Sequence, residues 1–281
     1  MTRDDLCRAM LAVGGEHSQN GGLYLDLRPV GQDAIAARFP ALQRTAGELA
    51  GIALDQQLLP IRPLMYRLLG GVETTVDGAT SLPGLFAAGA CACPGVAGAN
   101  VLAGNMLTTS VVFGVRAGTA AAAYAKTTSA GTSADAQLRD AQAALTALDS
   151  RPAAGDTVPQ ITRDLGMLMD TRVGLVRDGD SLAAAAQQLT GLRDRYARVG
   201  LRHHGKIYNH ELLSFLELGS LFDVAEAVIA AAQTRTESRG VHKRRDFPEL
   251  NETEWYKHTL VSHSTQGPHV DTRPIHVTPT H

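Results

Sequence analysis

Residues 89–107 read GACACPGVAGANVLAGNML, and this stretch decides how the rest of the chain is interpreted. It contains four glycines and no charged residue, and it lies between two apolar segments. Because glycine has no Cβ atom, another group can approach its backbone closely. A glycine-rich turn between a strand and a helix therefore predicts either a ligand at the helix N-terminus or a turn built only for tight packing.

The apolar segments on either side predict a strand and a helix. LFAAGA, which runs into the glycines, predicts a buried strand, and residues 60–89 as a whole predict two or three short strands. From Met106 to about Ala125 the sequence is nearly uncharged, which predicts a long helix buried on most faces. The backbone N–H groups of residues 104–107 would then lie at a helix N-terminus, without intrahelical partners and at the positive end of the helix dipole.

Sequence patterns at the two ends of the chain predict different structures. Residues 4–13 have apolar side chains at helical spacing, residues 21–29 alternate like a strand, and a helix is expected around residues 32–53. Amphipathic periodicity in the second half predicts a small helical bundle. Its three helices are expected at 159–176, 181–199 and 208–236.

Composition excludes several classes of protein. The chain has 281 residues, of which 44% are hydrophobic and 19% charged, with a net charge of −2, as in an ordinary soluble protein. Its Lys and Arg residues are spread along the chain, so we expect no nucleic-acid partner. We identify no apolar run of membrane-spanning length and no secretion signal, so we expect no direct membrane insertion and a cytoplasmic location.

Cysteines and histidines do not predict a metal site. Cys7, Cys91 and Cys93 are too few to ligate an iron–sulfur cluster by themselves. Cys91 and Cys93 could form a metal or redox pair, but two small residues filling a tight turn is the favoured interpretation. The segment from Phe247 onward is rich in His without a repeated ligand spacing, and we interpret it as an irregular, solvated or partner-facing tail.

Three stretches carry a resemblance to a known family. They are MYRLLGGV at 65–72, GLFAAGACACPGVAGANVLAGNML at 84–107 and, near the end, the segment 217–260 with its ESRGVHKRRD motif. In this order they resemble the flavoprotein subunit of succinate dehydrogenase and fumarate reductase. The resemblance implies the closing strands and buried helix of an FAD-binding domain, a remnant of the capping domain, and a helical-bundle domain with an irregular tail.

Only part of that family's architecture is present. The family begins with a dinucleotide-binding fold whose Gly-x-Gly-x-x-Gly loop holds the FAD pyrophosphate, and this chain contains no Gly-x-Gly. The resemblance therefore implies that the chain shares FAD with a missing or separate N-terminal half, an FAD-binding chain or domain. It also implies an iron–sulfur subunit as an electron-accepting partner, with peripheral placement at the inner face of the cytoplasmic membrane through partner subunits.

The resemblance assigns candidate site residues. Arg3 matches the Arg that moves the proton in the family mechanism. Tyr66 stands where the family has a His that holds a substrate carboxylate, and Val101 replaces the second clamp, an Arg. The implied cofactor-binding positions are Gly70, Gly71, Ala90, Asn100, Gly104, Asn105, Met106 and Leu107, of which Ala90 replaces a Glu and Met106 a Ser. In the ESRGVHKRR segment we favour a structural ion-pair network over catalysis.

These observations leave three hypotheses. The first is the C-terminal portion of a flavin-dependent oxidoreductase subunit that transfers hydride between a dicarboxylate-like substrate and FAD in complex with an FAD-binding chain, inactive as the isolated chain. The second is a non-catalytic pseudo-subunit or truncated gene product that has lost the substrate clamp. The third is an oxidoreductase of changed substrate. The predicted domains are 1–55 (capping remnant), 56–126 (part of the FAD-binding domain), 127–246 (helical) and 247–281 (tail).

Overall fold

The computed structural model describes residues 3–14, 23–65, 67–129, 131 and 134–275, and it forms two compact units divided after Met65. The first unit contains three helices and one pair of strands. Its elements are α1 (Arg3–Gly14), β1 (Leu23–Leu25), α2 (Gln32–Arg38), α3 (Pro40–Ala50) and β2 (Leu59–Ile61).

A small core holds the first unit together. Ile35, Ala46 and Leu54 are buried in it, and β1 pairs antiparallel with β2. The helix expected around residues 32–53 is two helices instead of one. The break falls at Phe39 because Pro40, which lacks an N–H group and has a fixed φ, begins α3.

The second unit begins with a short parallel strand pair and the long apolar helix. Its first elements are β3 (Val72–Glu73), β4 (Ala92–Cys93) and α4 (Asn105–Thr127), with one 3₁₀ turn at Gly89–Cys91. The prediction of a strand at LFAAGA is wrong, since Phe86 forms only an isolated bridge with Ala79. The strand lies after the 3₁₀ turn, where Ala92 and Cys93 pair with β3.

Helix α4 is not buried as predicted, because the described part of this chain covers only a narrow stripe of it. Ala117 is its one buried residue, at the close approach of the Gly78 backbone. Arg116 donates to the Val76 carbonyl at 2.7 Å and pairs with Asp77 at 2.8 Å. The rest of the helix, including the apolar side chains on its other faces, is exposed or only partly buried.

By length and composition alone, α4 is also long and apolar enough to cross a membrane, and it is the one such helix in the described part of the chain. The expectation that no apolar run reaches that length is therefore wrong on this criterion. Length and composition do not separate a membrane span from a helix that packs in a protein core.

The predicted helical bundle is confirmed. After α5 (Asp135–Asp149), helices α6 (Val158–Arg172), α7 (Gly179–Ala197) and α8 (His210–Thr234) pack around one apolar core. Each of the three helices begins at a side-chain cap, as the Ser, Thr, Asp and Asn preference at helix starts predicts. The caps are Thr157, which forms a capping box with Gln160, Asp178 and Asn209.

The prediction of an irregular tail is wrong, because the segment after α8 contains a regular hairpin. A short helix α9 (Glu252–Trp255) leads into β5 (Lys257–Ser264), which pairs antiparallel with β6 (Gly267–Pro274). A two-residue turn joins the strands, and Gly267 beside it adopts a φ of 107°. The hairpin packs on α8, and its strands are partly buried, which gives a two-stranded ribbon support that it lacks in isolation. The other predicted domain boundaries stay predictions.

Candidate functional site

The glycine-rich segment, residues 94–104, follows β4 and leads into α4. Gly71, just before β3, lies so close to the residue before β4 that a Cβ atom on it would be 2.5 Å from the Cys91 carbonyl oxygen. Gly70 and Gly71 both adopt positive φ values, 109° and 147°. Gly71 is thus the position where the backbone itself, and not a side chain, sets the approach of β3 to β4.

The N-terminus of α4 is open. Gly104 is the N-cap residue with a φ of 83°, no side chain caps this end, and no atom lies within 4 Å of where a Gly104 Cβ would be. The Asn105 N–H group bonds to the Leu102 carbonyl at 3.1 Å, and the Leu107 N–H to the Gly104 carbonyl at 3.2 Å. Within the described residues, the Met106 N–H group has no hydrogen-bond partner.

This arrangement can bind a negative or electron-rich edge. Gly104, Asn105 and Leu107 are exposed, and the side chain of Leu107 is 74% accessible. A free N–H group at the positive end of a 23-residue helix is a ready partner for an anion. The donor set therefore fits the electron-rich edge of a flavin ring, whose reduced form carries negative charge.

The turn before the helix places Asn100 and Val101. The Asn100 Oδ1 atom accepts the Val101 N–H group at 2.8 Å, which fixes the turn locally. Val101 is half-buried and offers no charge to a carboxylate. Ala90 lies exposed in the 3₁₀ turn that precedes β4. Ala90, Asn100 and Val101 thus lie along one continuous segment with the N-terminus of α4.

The two remaining candidates are not brought to this turn by any described contact. Arg3 is the first residue of α1 in the first unit, and its exposed side chain lies 3.6 Å from Asp4. Tyr66 lies outside the described residues. The catalytic role of Arg3 and the substrate-binding role of Tyr66 stay predictions, as do the roles of the cofactor-binding positions.

The residues that contact the glycine-rich segment from the C-terminal part of the chain were not predicted from the sequence. Gly240 lies against Ala99, so closely that a Cβ on it would be 2.2 Å from the Ala99 carbonyl oxygen. The Val241 N–H group donates to that same oxygen at 3.2 Å. At the other end of the segment, His258 of β5 lies against Gly95. Gly240 itself was the available signal, since a glycine after the end of a helix is typical of a turn that needs a positive φ.

The predicted ion-pair network includes Arg239, the residue before Gly240. Glu237 is fully buried and accepts hydrogen bonds from Arg239 at 2.8 Å and 3.1 Å and from the Asn251 N–H group at 3.0 Å. Arg235 forms an ion pair with the same carboxylate. Burial opposes the ionised form, but these hydrogen bonds together hold the pKa of Glu237 below its usual range. Glu237 is therefore a charged structural centre.

His242 belongs to the same region and is held neutral. Its Nδ1 atom accepts from Arg177 at 2.9 Å, so the ring proton is on Nε2, which donates to the Arg235 carbonyl at 3.2 Å. Burial and then the charge of Arg177 lower the pKa of His242 to about 4. A His with such a pKa cannot serve as a proton donor near neutral pH.

Comparisons with known proteins agree with these features. A family model described as FAD binding domain matches residues 1–107, and one described as fumarate reductase flavoprotein C-term matches residues 162–281. The chain belongs to the family of succinate dehydrogenase and fumarate reductase flavoprotein subunits. The fumarate reductase flavoprotein subunit of Mycobacterium tuberculosis is 37% identical over 251 residues, covering 87% of this chain and 43% of that protein.

Two further known proteins match nearly the whole of this chain. L-aspartate oxidase of Streptomyces coelicolor is 33% identical over 290 residues, which covers 99% of this chain and 48% of that protein. A solved structure of Escherichia coli quinol fumarate reductase matches with a TM-score of 0.90 and 30% identity, over 99% of this chain and 49% of that one. The chain spans about half the length of the relatives it matches. FAD is the cofactor of this family, and the open end of α4 fits it.

Proposed function

We propose that this chain is the C-terminal portion of a flavin-dependent oxidoreductase subunit, which works in complex with an FAD-binding chain or domain. The observation that carries the proposal is the open N-terminus of α4, with the Gly104 N-cap and the unpartnered Met106 N–H group. Such an end is positioned by a strand, a glycine-rich turn and a network behind it, and no described residue of this chain uses it.

The chain's own residues would bind and orient the flavin ring. The Met106 N–H group in the first turn of α4 would donate to the ring, and Gly70, where nothing lies within 4 Å of a Cβ position, would leave room for a flat ligand. When bound, FAD supplies the hydride transfer. Arg3, the first residue of α1, would move the accompanying proton.

The substrate proposed is dicarboxylate-like, and Val101 limits how well it can bind. In the resembled family an Arg at this position clamps a carboxylate, and losing such a charge-assisted pair costs about 2–5 kcal/mol. The relatives include both fumarate reductases and an L-aspartate oxidase, so the family accommodates more than one substrate. A less charged substrate is therefore part of this proposal.

The proposed FAD-binding partner would cover the exposed apolar side of α4. Leu107, Val111 and Val115 recur at intervals of four residues and are 74%, 59% and 68% exposed. Side chains spaced in this way form one face of a helix, and an apolar helix face normally packs against another element. An iron–sulfur subunit at the cytoplasmic face of the membrane would complete the electron-transport assembly.

A second candidate function is a non-catalytic structural subunit. The specific observation in its favour is Val101, which leaves the turn without the charge that a carboxylate substrate requires. In that case the ion network and the helix end would be kept as packing features, and no substrate chemistry would take place at them.

Purification from the native host separates the two candidates. The full chain is captured gently, and the material is examined for flavin absorbance and, by mass spectrometry, for an FAD-binding partner. A yellow complex that contains such a partner supports the flavoenzyme. A colourless product without that partner contradicts it and leaves the structural subunit.

A gain-of-charge variant tests the substrate side. In the flavin-containing complex, Val101→Arg is expected to raise kcat/KM for a dicarboxylate by about tenfold or more, because it restores a charge-assisted pair. Val96→Arg is the matched control, since Val96 is an exposed valine of the same glycine-rich segment. An equal response of both variants would show a general charge effect and would contradict the assigned position.

A further inference from the structure

Residues from the C-terminal part of the chain contact the glycine-rich segment at two positions, Ala99 and Gly95. At Ala99, the turn Arg239–His242 presents Gly240 and Val241 to the backbone. At Gly95, the His258 ring lies where a Cβ would be 3.3 Å from its Cε1 atom. Between these two contacts residues 95–98 are exposed.

The first contact is rigid because of its own turn. Arg239 and His242 exchange two backbone hydrogen bonds, of 2.8 Å and 2.9 Å, and Gly240 between them has a φ of 56°. A positive φ at this position is required by the tight primed turns that favour glycine. Any side chain at position 240 would collide with the Ala99 carbonyl group.

Both contacts are connected through ion pairs to one buried carboxylate, that of Glu237. Glu237 binds Arg239, which belongs to the turn that reaches Ala99. Glu237 also pairs with Arg235, which donates to the Trp255 carbonyl at 3.0 Å and to the Thr259 hydroxyl at 3.2 Å. Those two acceptors lie on either side of His258 and fix the start of β5.

We propose that Glu237 is a positioning residue that holds the glycine-rich segment 94–104 in place through both of these contacts. The carboxylate is fully buried, and Arg235 and Arg239 connect it to the two contacts. Its consequence for the flavin rests on the function proposed above. The effect on the segment itself does not.

Removal of the negative charge should loosen the segment. In Glu237→Gln the side chain keeps its shape, but the partly buried guanidinium groups of Arg235 and Arg239 lose their shared counter-charge, and a neutral amide cannot replace it. Arg239 then keeps only its surface pair with Glu252 at 3.2 Å. The turn at Gly240 and the start of β5 then lose the anchor that joins them. The core of α6, α7 and α8 is formed by apolar side chains and does not depend on this charge.

Hydrogen exchange of the full chain, followed by mass spectrometry, tests the proposal. Glu237→Gln is expected to speed amide exchange in residues 94–104 and 238–243 by about tenfold to a hundredfold, while exchange in α6–α8 stays unchanged. Glu211→Gln is the matched control, because Glu211 also accepts two backbone N–H groups, at 2.8 Å and 2.9 Å, in a different loop. It should leave residues 94–104 unaffected.

A second variant keeps the test decisive if Glu237→Gln does not fold. Gly240→Ala breaks only the contact with Ala99, and it should speed exchange in the same two segments. Gly155→Ala is its control, because Gly155 has a φ of 83° and nothing within 4 Å of a Cβ. Because Glu237→Gln already loosens the contact that Gly240→Ala breaks, the double variant should exchange no faster than Glu237→Gln alone.

Several outcomes would overturn the proposal. Faster exchange spread over α6–α8 would show a general structural role for Glu237, and unchanged exchange in 94–104 would show no role for it there. In the flavin-containing complex the same variants should shift the visible flavin spectrum, while Glu237→Asp, which keeps the charge, should shift it less. A loosened segment with an unchanged spectrum would contradict the proposed function and leave the positioning role intact.

Discussion

Helices α4 and α8 are similar in length and both are rich in apolar residues, yet they are buried to very different extents. Helix α8 has 25 residues, six of which are buried, among them Leu218 and Phe222 with no exposed surface. Helix α4 has 23 residues and buries only Ala117. The helical bundle thus supplies its own core, whereas the described residues leave most of the apolar surface of α4 uncovered.

The largest expected effect is in the bundle. Phe222→Ala should lower the free energy of unfolding by about 3–5 kcal/mol, because it leaves a cavity where the ring contacts Tyr196 and lies beneath Arg193. Urea denaturation of the full chain, followed by circular dichroism, measures this loss. A loss below about 1 kcal/mol would mean that the bundle core is as loosely packed as the surroundings of α4.

The next effect depends on pH and concerns the junction between the bundle and the glycine-rich segment. The pKa of His242 is about 4 in the folded protein, below its ordinary value of 6.5, so the unfolded chain binds the proton more readily between these values. Stability from this group is fully present above about pH 6.5 and falls by about 3 kcal/mol as the pH drops through 4. Denaturation series across this range measure the slope.

A pair of variants isolates the histidine. His242→Gln can still accept from Arg177 and donate to the Arg235 carbonyl, but it does not titrate, so the slope between pH 4 and 6.5 should become shallower. His204→Gln is the control, because His204 pairs with Asp149 at the surface. A slope that His242→Gln leaves unchanged would assign the pH dependence to other groups.

The smallest effect on stability is expected on α4. Val111→Ser should change the free energy of unfolding of the isolated chain by no more than about 0.5 kcal/mol, because the side chain is 59% exposed. Binding to the FAD-binding partner should nevertheless weaken by about tenfold, since that surface becomes buried in the proposed complex. Calorimetric titration measures the binding.

Lys126 on the same helix provides the comparison for this experiment. It is exposed in the last turn of α4, and Lys126→Ser removes a charge instead of apolar surface. If both variants bind the partner as tightly as the original chain, the apolar face of α4 is not the interface, and the contrast with α8 has another cause.

Part of the site could be predicted from local sequence. The position of the α4 N-terminus follows from the glycines and from the apolar run behind them, and the caps at Thr157, Asp178 and Asn209 follow from short-range hydrogen bonding. The hairpin could have been found from the β-branched residues of β5 and β6 and from Gly267, but the many histidines made the segment look irregular. The contact between Gly240 and Ala99 joins positions far apart in sequence, and no local pattern predicts it.

The sequence alone determined the features that depend on neighbours along the chain. These are the helices of the bundle, the glycine-rich turn, and the loss of charge at Val101, because propensity, capping and side-chain chemistry act over a few residues. Only the tertiary structure shows that α8 is the buried apolar helix and that the carboxylate of Glu237 binds the turn at Gly240 through Arg239. Burial of α8 and exposure of α4, like the link from Glu237 to Ala99, arise from distant segments meeting in space. The sequence shows that a helix is apolar and is expected to pack against another surface. Only the tertiary structure shows whether the described residues provide that surface.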